Sequence, residues 1–285
     1  MRRLIINADD FGLTAGVNRA IAEANRCGVL TSATMMANAR AFAEAAVLAK
    51  SQPRLKTGCH VVLIDGDPVS ANLPSLTNGS SRFRTSLKQF AVAAVRRQIS
   101  VDEIQQEAEA QIRKIQSQGI TLTHIDSHKH THMFPYVLRP VLRAAKACGI
   151  RAVRNPFEPL RAWPHSAVLG TPALWLRSAG VTAFQMFAGD FRRAIKEEGM
   201  LSTDGTVGIA ATGKLDQKML LRILAALPEG TWELVCHPGY SDADLQAAGT
   251  RLTTSRETEL AALISNETKD ALARQKIELI SYAEL

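Results

Sequence analysis

Short apolar runs alternate with amphipathic stretches along almost the whole chain. Residues 4–8 read as a first strand, which Asp9-Asp10-Phe11-Gly12 ends, and the next pattern predicts a helix over 15–26 with Gly28 as its stop. A second strand over 31–37 leads into an alanine-rich helix ending near 50, and a third strand spans 57–64. Proline, glycine and serine crowd residues 65–85, which read as a loop inserted after that strand. Helical patterns cover 86–98 and 101–118. In the second, Ile104, Ala108, Ile112 and Ile115 line one face and Gly119 closes it. A His-rich strand follows, then a helix to 148 and a short strand over 151–154. The segment 155–200 is irregular and apolar, with Pro156, Pro159, Pro164 and Pro172 ahead of a helix candidate over 173–187. A helix over 216–227, a strand over 232–236, a helix over 256–274 and a last strand over 277–282 complete the pattern.

Such strand–helix alternation argues for an α/β fold with a parallel sheet inside and helices outside. Seven or eight units suggest a closed or distorted (β/α) barrel forming a single domain over 1–285. An open doubly wound sheet is the alternative, but no glycine-rich phosphate fingerprint supports it. Neither an internal repeat nor a linker interrupts the chain.

Hydrophobic residues make up 46 % and aromatic residues only 5 %, so aliphatic residues and alanine must supply most of the core. A formal charge of +7 suits anionic surfaces. The basic residues are scattered, however, as in Arg96-Arg97 and Arg192-Arg193, and no nucleic-acid-binding motif accompanies them. Nucleic acid is therefore not an expected partner. Cys27, Cys59, Cys148 and Cys236 lie far apart beside apolar residues with no Cys-x-x-Cys pair, which reads as reduced, buried thiols of a cytoplasmic protein. The first apolar run is too short for a signal peptide, and no window of about 18 apolar residues suits a membrane span.

Thr123-His124-Ile125-Asp126-Ser127-His128-Lys129-His130-Thr131-His132 holds four of the seven histidines. In an extended segment alternate side chains share a face, so His124, Asp126, His128, His130 and His132 would point the same way. Imidazole and carboxylate are common metal ligands, and a polar surface loop is the plain alternative. Other polar residues border apolar strands. Asp9 and Asp10 follow the first, His60 lies in the third, Arg154 follows the short one, and His237 follows Val235-Cys236. In a (β/α) barrel such strand ends meet on one face. Adjacent carboxylates repel unless a cation or proton relieves them. Asp9-Asp10 therefore suggests one oxygen on a metal and another taking a proton from water, with turn capping an equal alternative. His60 or His237 taken alone would more often be structural.

Asn7-Ala8-Asp9-Asp10-Phe11-Gly12-Leu13, Gly58-Cys59-His60-Val61, the 123–132 row and Cys236-His237-Pro238-Gly239-Tyr240 resemble the YdjC/ChbG-type carbohydrate deacetylases. The likeness runs in order over nearly the whole chain and includes Arg256-Glu257-x-Glu259-Leu260. Cys59-His60-Val61-Val62-Leu63-Ile64-Asp65-Gly66 further resembles the hopanoid-biosynthesis-associated, HpnK-like branch. The resemblance implies a hydrolase that removes the N-acetyl group from an amino sugar with metal-activated water. Carried over, it implies Asp9 as general base, with Asp10, His60 and His128 holding one divalent ion. It likewise implies His237 as general acid and Arg154 as the residue orienting the base. His130 and His132 could replace His128 as ligand or bind substrate, while His124 and Asp126 would support the ligands from behind. Zinc suits two imidazoles and one carboxylate, and Mg, Mn or Co accept the same donors.

The branch resemblance implies the N-acetylglucosaminyl headgroup of a hopanoid lipid as substrate, and peripheral contact with the inner face of the membrane. Trp163, Leu169, Leu174, Trp175, Leu176, Phe184, Met186 and Phe187 would then form an apolar lip, with Arg177, Arg192 and Arg193 near lipid headgroups. A core helix is the competing account of these residues. Soluble chitooligosaccharides are the alternative substrates. A metal-dependent phosphoesterase would need a second carboxylate cluster for two close metals. A metal or lipid carrier would leave Asp9 and His237 without a task. A homo-oligomer is compatible with the chain.

Overall fold

A computed structural model describes residues 1–158 and 184–285. Its strands, in chain order, are β1 (Arg2–Phe11), β2 (Ser32–Met35), β3 (Lys56–Val61), β4 (Leu122–Ser127), β5 (Ala152–Val153), β6 (Gly205–Val207), β7 (Gly230–Cys236) and β8 (Ile277–Ile280). All pairings are parallel, in the order β5-β4-β3-β2-β1-β7-β6. One side of β1 pairs with β7 from Arg2 to Ala8. Its other side is shared, β8 pairing with Arg2 to Ile5 and β2 with Asn7 to Phe11.

The sheet curls until its two ends meet through irregular backbone. Ala152 bridges Leu201, and the Thr206 N–H donates to the Phe157 carbonyl at 3.2 Å. The result is a distorted (β/α) barrel with helices outside, as the alternation of elements predicts. Burial on both faces of the parallel sheet explains why Leu4, Ile5 and Ile6 are consecutive and all buried.

Helix Ala15–Cys27 starts where the Thr14 hydroxyl accepts from the Val17 N–H at 3.2 Å, and it buries Val17, Ala20, Ile21 and Ala24. Helix Val101–Gln116 buries Ile104, Ala108, Ile112 and Ile115 as its periodicity predicts. It also buries Glu107 and Gln111. Gln111 exchanges two hydrogen bonds with Val62, and Glu107 accepts from Val69 and Ser70, so this helix ties down the loop that follows β3.

Cys59 and Cys236 are buried in strands as expected, whereas Cys27 is exposed and Cys148 half-buried because each sits at the end of an outer helix. Several boundaries also differ from the sequence expectation. The predicted helix over 256–274 is two helices, Ser255–Ile264 and Asn266–Arg274, because extended Ser265 breaks the first and caps the second. β6 was not expected, since three residues beginning with glycine carry no readable alternation. The strand expected over 277–282 stops at Ile280, and Tyr282 lies in a following turn. In the apolar segment, the helix candidate over 173–187 falls mostly outside the described residues. Residues 188–198 are helical there, and Phe184 and Phe187 both pack edge-on against Phe134. No helix among the described residues is long and apolar enough to cross a membrane.

Candidate metal-dependent active site

β1 continues through the two aspartates instead of ending before them. Asp10 has φ 65°, and the register with β2 shifts between Ala8 and Phe11. In a regular strand neighbouring side chains face opposite ways, whereas a bulge breaks that rule. Asp9 and Asp10 therefore both reach one cavity of about 860 Å³, which His60, His128, His130 and His237 also line. The main-chain turn after them is held by Asn18, whose side chain accepts from the Gly12 N–H and donates to the Ala41 carbonyl.

The extended histidine row expected from the sequence stops at Ser127. Residues 128–133 form a tight 3-10 turn in which Lys129 and His130 have φ of 54° and 52°. The five polar side chains consequently do not share one face. His124 stacks on Tyr282 at 3.8 Å and meets the Asn7 side chain, away from the cavity. His132 is locked between the Ser127 hydroxyl and the Arg154 carbonyl, which removes it from the ligand candidates. His128 and His130 line the cavity, and His130 Nδ1 is buried with no hydrogen-bond partner among the described residues.

Asp10, His60 and His128 come together although 118 positions separate the first from the last. Asp10 Oδ1 lies 3.6 Å from His60 Nε2 and 3.3 Å from His128 Nδ1, and the two nitrogens are 3.2 Å apart. Ligand atoms about 2.1 Å from one tetrahedral ion stand roughly 3.4 Å from each other, so this donor set fits a divalent cation. His60 Nδ1 is 2.7 Å from Asp126 Oδ1. A carboxylate can only accept, so Nδ1 carries the hydrogen and Nε2 presents its lone pair to the site. Burial disfavours a charged His60, but Asp126, Asp9 and Asp10 outweigh it and raise the imidazole to about 9 without a metal. A bound ion would take the place of that proton.

A second grouping, Asp9, His60 and Asp126, also has donor atoms within 4.8 Å of one another. Arg154 already occupies it. The guanidinium contacts both oxygens of Asp9, at 2.9 and 2.6 Å, and lies 2.5 Å from Asp126. Burial pushes Asp9 up, yet Arg154, His60 and His237 hold it well below the usual carboxylate range. Asp10 is likewise held low against burial, by Arg256 and His128. The fully buried Arg256 donates to Asp10 Oδ2 at 2.6 Å, leaving Oδ1 for the cation.

His237 Nε2 lies 3.8 Å from Asp9 Oδ2, and burial holds its imidazole down at about 4. Its backbone N–H donates to Glu259, whose carboxyl burial raises to about 7. Sequence reading passed over Asn7, Thr34, Glu233 and Tyr282. Each is a polar residue inside or beside an apolar strand, and that contrast was the available signal. Thr34 donates to Asp126, and Asn7 to Asp9.

The YdjC-like protein profile matches residues 3–274. This chain belongs to the YdjC-like family. A carbohydrate deacetylase of Brevibacillus brevis is 35 % identical to this YdjC-like chain over 284 residues, covering 99 % of each. A chitooligosaccharide deacetylase of Proteus mirabilis is 31 % identical over 288 residues, covering 99 % of this chain and 98 % of its own. Among solved structures, a candidate cellobiose-phosphate cleavage protein from Enterococcus faecalis superposes with a TM-score of 0.79. It is 25 % identical, and the match covers 99 % of this chain and 98 % of that one.

Proposed function

We propose that this YdjC-like protein is a metal-dependent carbohydrate deacetylase that hydrolyses the N-acetyl amide of amino sugars. The observation that carries this reading is the triangle of Asp10, His60 and His128 donor atoms, open to a cavity that also presents Asp9 and His237. The name of the Proteus mirabilis relative favours chitooligosaccharides over a hopanoid lipid headgroup. Of the residues expected to form an apolar lip, Trp163, Leu169, Leu174, Trp175 and Leu176 lie outside the described residues, as does Arg177. On the name of that relative, chitooligosaccharides are the preferred substrate class.

An ion held by Asp10, His60 and His128 would supply Lewis-acid polarisation of the acetyl carbonyl and a lowered pKa for a coordinated water. Zinc suits the donors best. Asp9, ionised and oriented by Arg154, takes a proton as water attacks the carbonyl carbon. Burial keeps resting His237 neutral, so the proton it gives to the departing nitrogen is acquired during the cycle. Asp9, 3.8 Å away, is the neighbour that can pass it on. His130, whose Nδ1 has no hydrogen-bond partner among the described residues, stands in the cavity wall and contacts the sugar.

Acetate release from N-acetylated chitooligosaccharides and from an N-acetylglucosaminyl lipid, paired with metal analysis, tests this reading. Asp10→Ala, His60→Ala and His128→Ala should each lose metal and turnover together, and Asp9→Asn should keep metal while losing turnover. Full metal stoichiometry in all three ligand variants would remove the assignment. Turnover of the lipid alone would restore the lipid substrate.

A further inference from the structure

Arg154 is fully buried in the barrel, and its three nitrogens make five contacts with carboxylate oxygens, three of them hydrogen bonds. Asp9 takes two and Asp126 one. The remaining two reach a single oxygen, Glu233 Oε1, from Nε at 2.8 Å and from a terminal nitrogen at 2.7 Å. Glu233 lies mid-way along β7 and, unlike Asp9, does not line the cavity. Its other oxygen, Oε2, accepts from the Tyr282 hydroxyl, which the last residues of the chain bring in after β8. The Tyr282 ring is fixed in turn by its stack on His124. A continuous buried chain thus runs from the C-terminal turn through Glu233 and Arg154 to Asp9.

We infer that Tyr282 and Glu233 are positioning residues for the deacetylation, holding the Arg154 guanidinium in the one orientation that aims Asp9 into the cavity. This rests on the deacetylase reading for its catalytic consequence, though not for the contact itself. Without the Tyr282 hydroxyl, Glu233 Oε2 is a buried carboxylate oxygen with no donor, a costly state that rotation of the carboxyl relieves. That rotation withdraws the acceptor from the Nε edge of Arg154 and frees the guanidinium to turn. Burial raises the Tyr282 phenol well above its ordinary value, and Glu233 raises it further, so the hydroxyl remains a donor across the working range.

Tyr282→Phe removes the donor but keeps the ring on His124. The metal-loaded variant should stay folded at the assay temperature and keep KM within about twofold, while kcat falls about tenfold or more, since small misplacements of a catalytic group carry such penalties. Glu233→Gln should give the same loss confined to kcat. In arginine-labelled protein, the terminal nitrogens of Arg154 should give separate NMR signals in the wild type and averaged ones in Tyr282→Phe. A Tyr282→Phe enzyme with wild-type kcat and unaveraged Arg154 signals would overturn the inference. So would a variant whose loss lies wholly in melting temperature. If the wild type releases no acetate, the deacetylase reading fails, and the NMR signals still decide whether Tyr282 holds Arg154.

Discussion

His60 can offer only one nitrogen to an ion, and Asp126 decides which. The 2.7 Å contact to Nδ1 fixes the tautomer, and Thr34 and Arg154 fix Asp126 in turn. Such partners behind a metal ligand typically set affinity by a factor of about 10–100. Asp126→Asn should therefore weaken zinc binding by about that factor, as read by competition with a chromophoric chelator. An unchanged affinity would mean that His60 is oriented by its packing alone. His132 illustrates the opposite outcome. It carries a ligand's chemistry in a ligand-rich sequence, yet its two ring nitrogens serve Ser127 and the Arg154 carbonyl.

At the scale of elements, the site depends on irregularities at strand ends. The bulge at the end of β1 turns two consecutive carboxylates into one cavity, and the tight turn after β4 brings His128 round while it sends Lys129 out towards Asp65. β3 and β4 impose a further demand. A Cβ on Gly58 would sit 2.5–2.7 Å from three ring atoms of His124, which Tyr282 covers from the other side. Overpacking of this kind costs about 1–3 kcal/mol, so Gly58→Ala should lower the unfolding free energy in urea by that amount. Wild-type stability in the variant would show that the His124 ring can shift freely.

Across the whole molecule, the buried histidines respond to pH in opposite directions. His60, at about 9 when folded, binds its proton more tightly than the unfolded chain does at 6.5. Its contribution is complete below 6.5 and fades as pH rises through about 9. Burial holds His124 and His130 at about 3 and His132 and His237 at about 4. Their contributions are complete above 6.5 and are lost as pH falls towards those values. Metal-free protein should therefore melt highest near neutral pH, with losses on both sides. A zinc ion bound by His60 would replace its proton, so added zinc should flatten the alkaline limb in a melting series run with chelator and with zinc. Identical alkaline limbs would argue that His60 is not a ligand.

Periodicity by itself determined the fold class, because apolar runs too short for helices alternate with amphipathic ones, and a parallel sheet is what buries such runs on both faces. Polar residues at the ends of those runs also marked Asp9, Asp10, His60, Arg154 and His237, since a barrel gathers strand ends. Tertiary structure alone decided which histidines share a site. Sequence spacing assumes an unbroken strand, and two left-handed residues after Ser127 abolish it. Glu233, Tyr282 and the pairing of Arg256 with Asp10 were hidden for a related reason. Their roles arise from contacts across 49 to 246 positions, and no local pattern records which buried charge will face which.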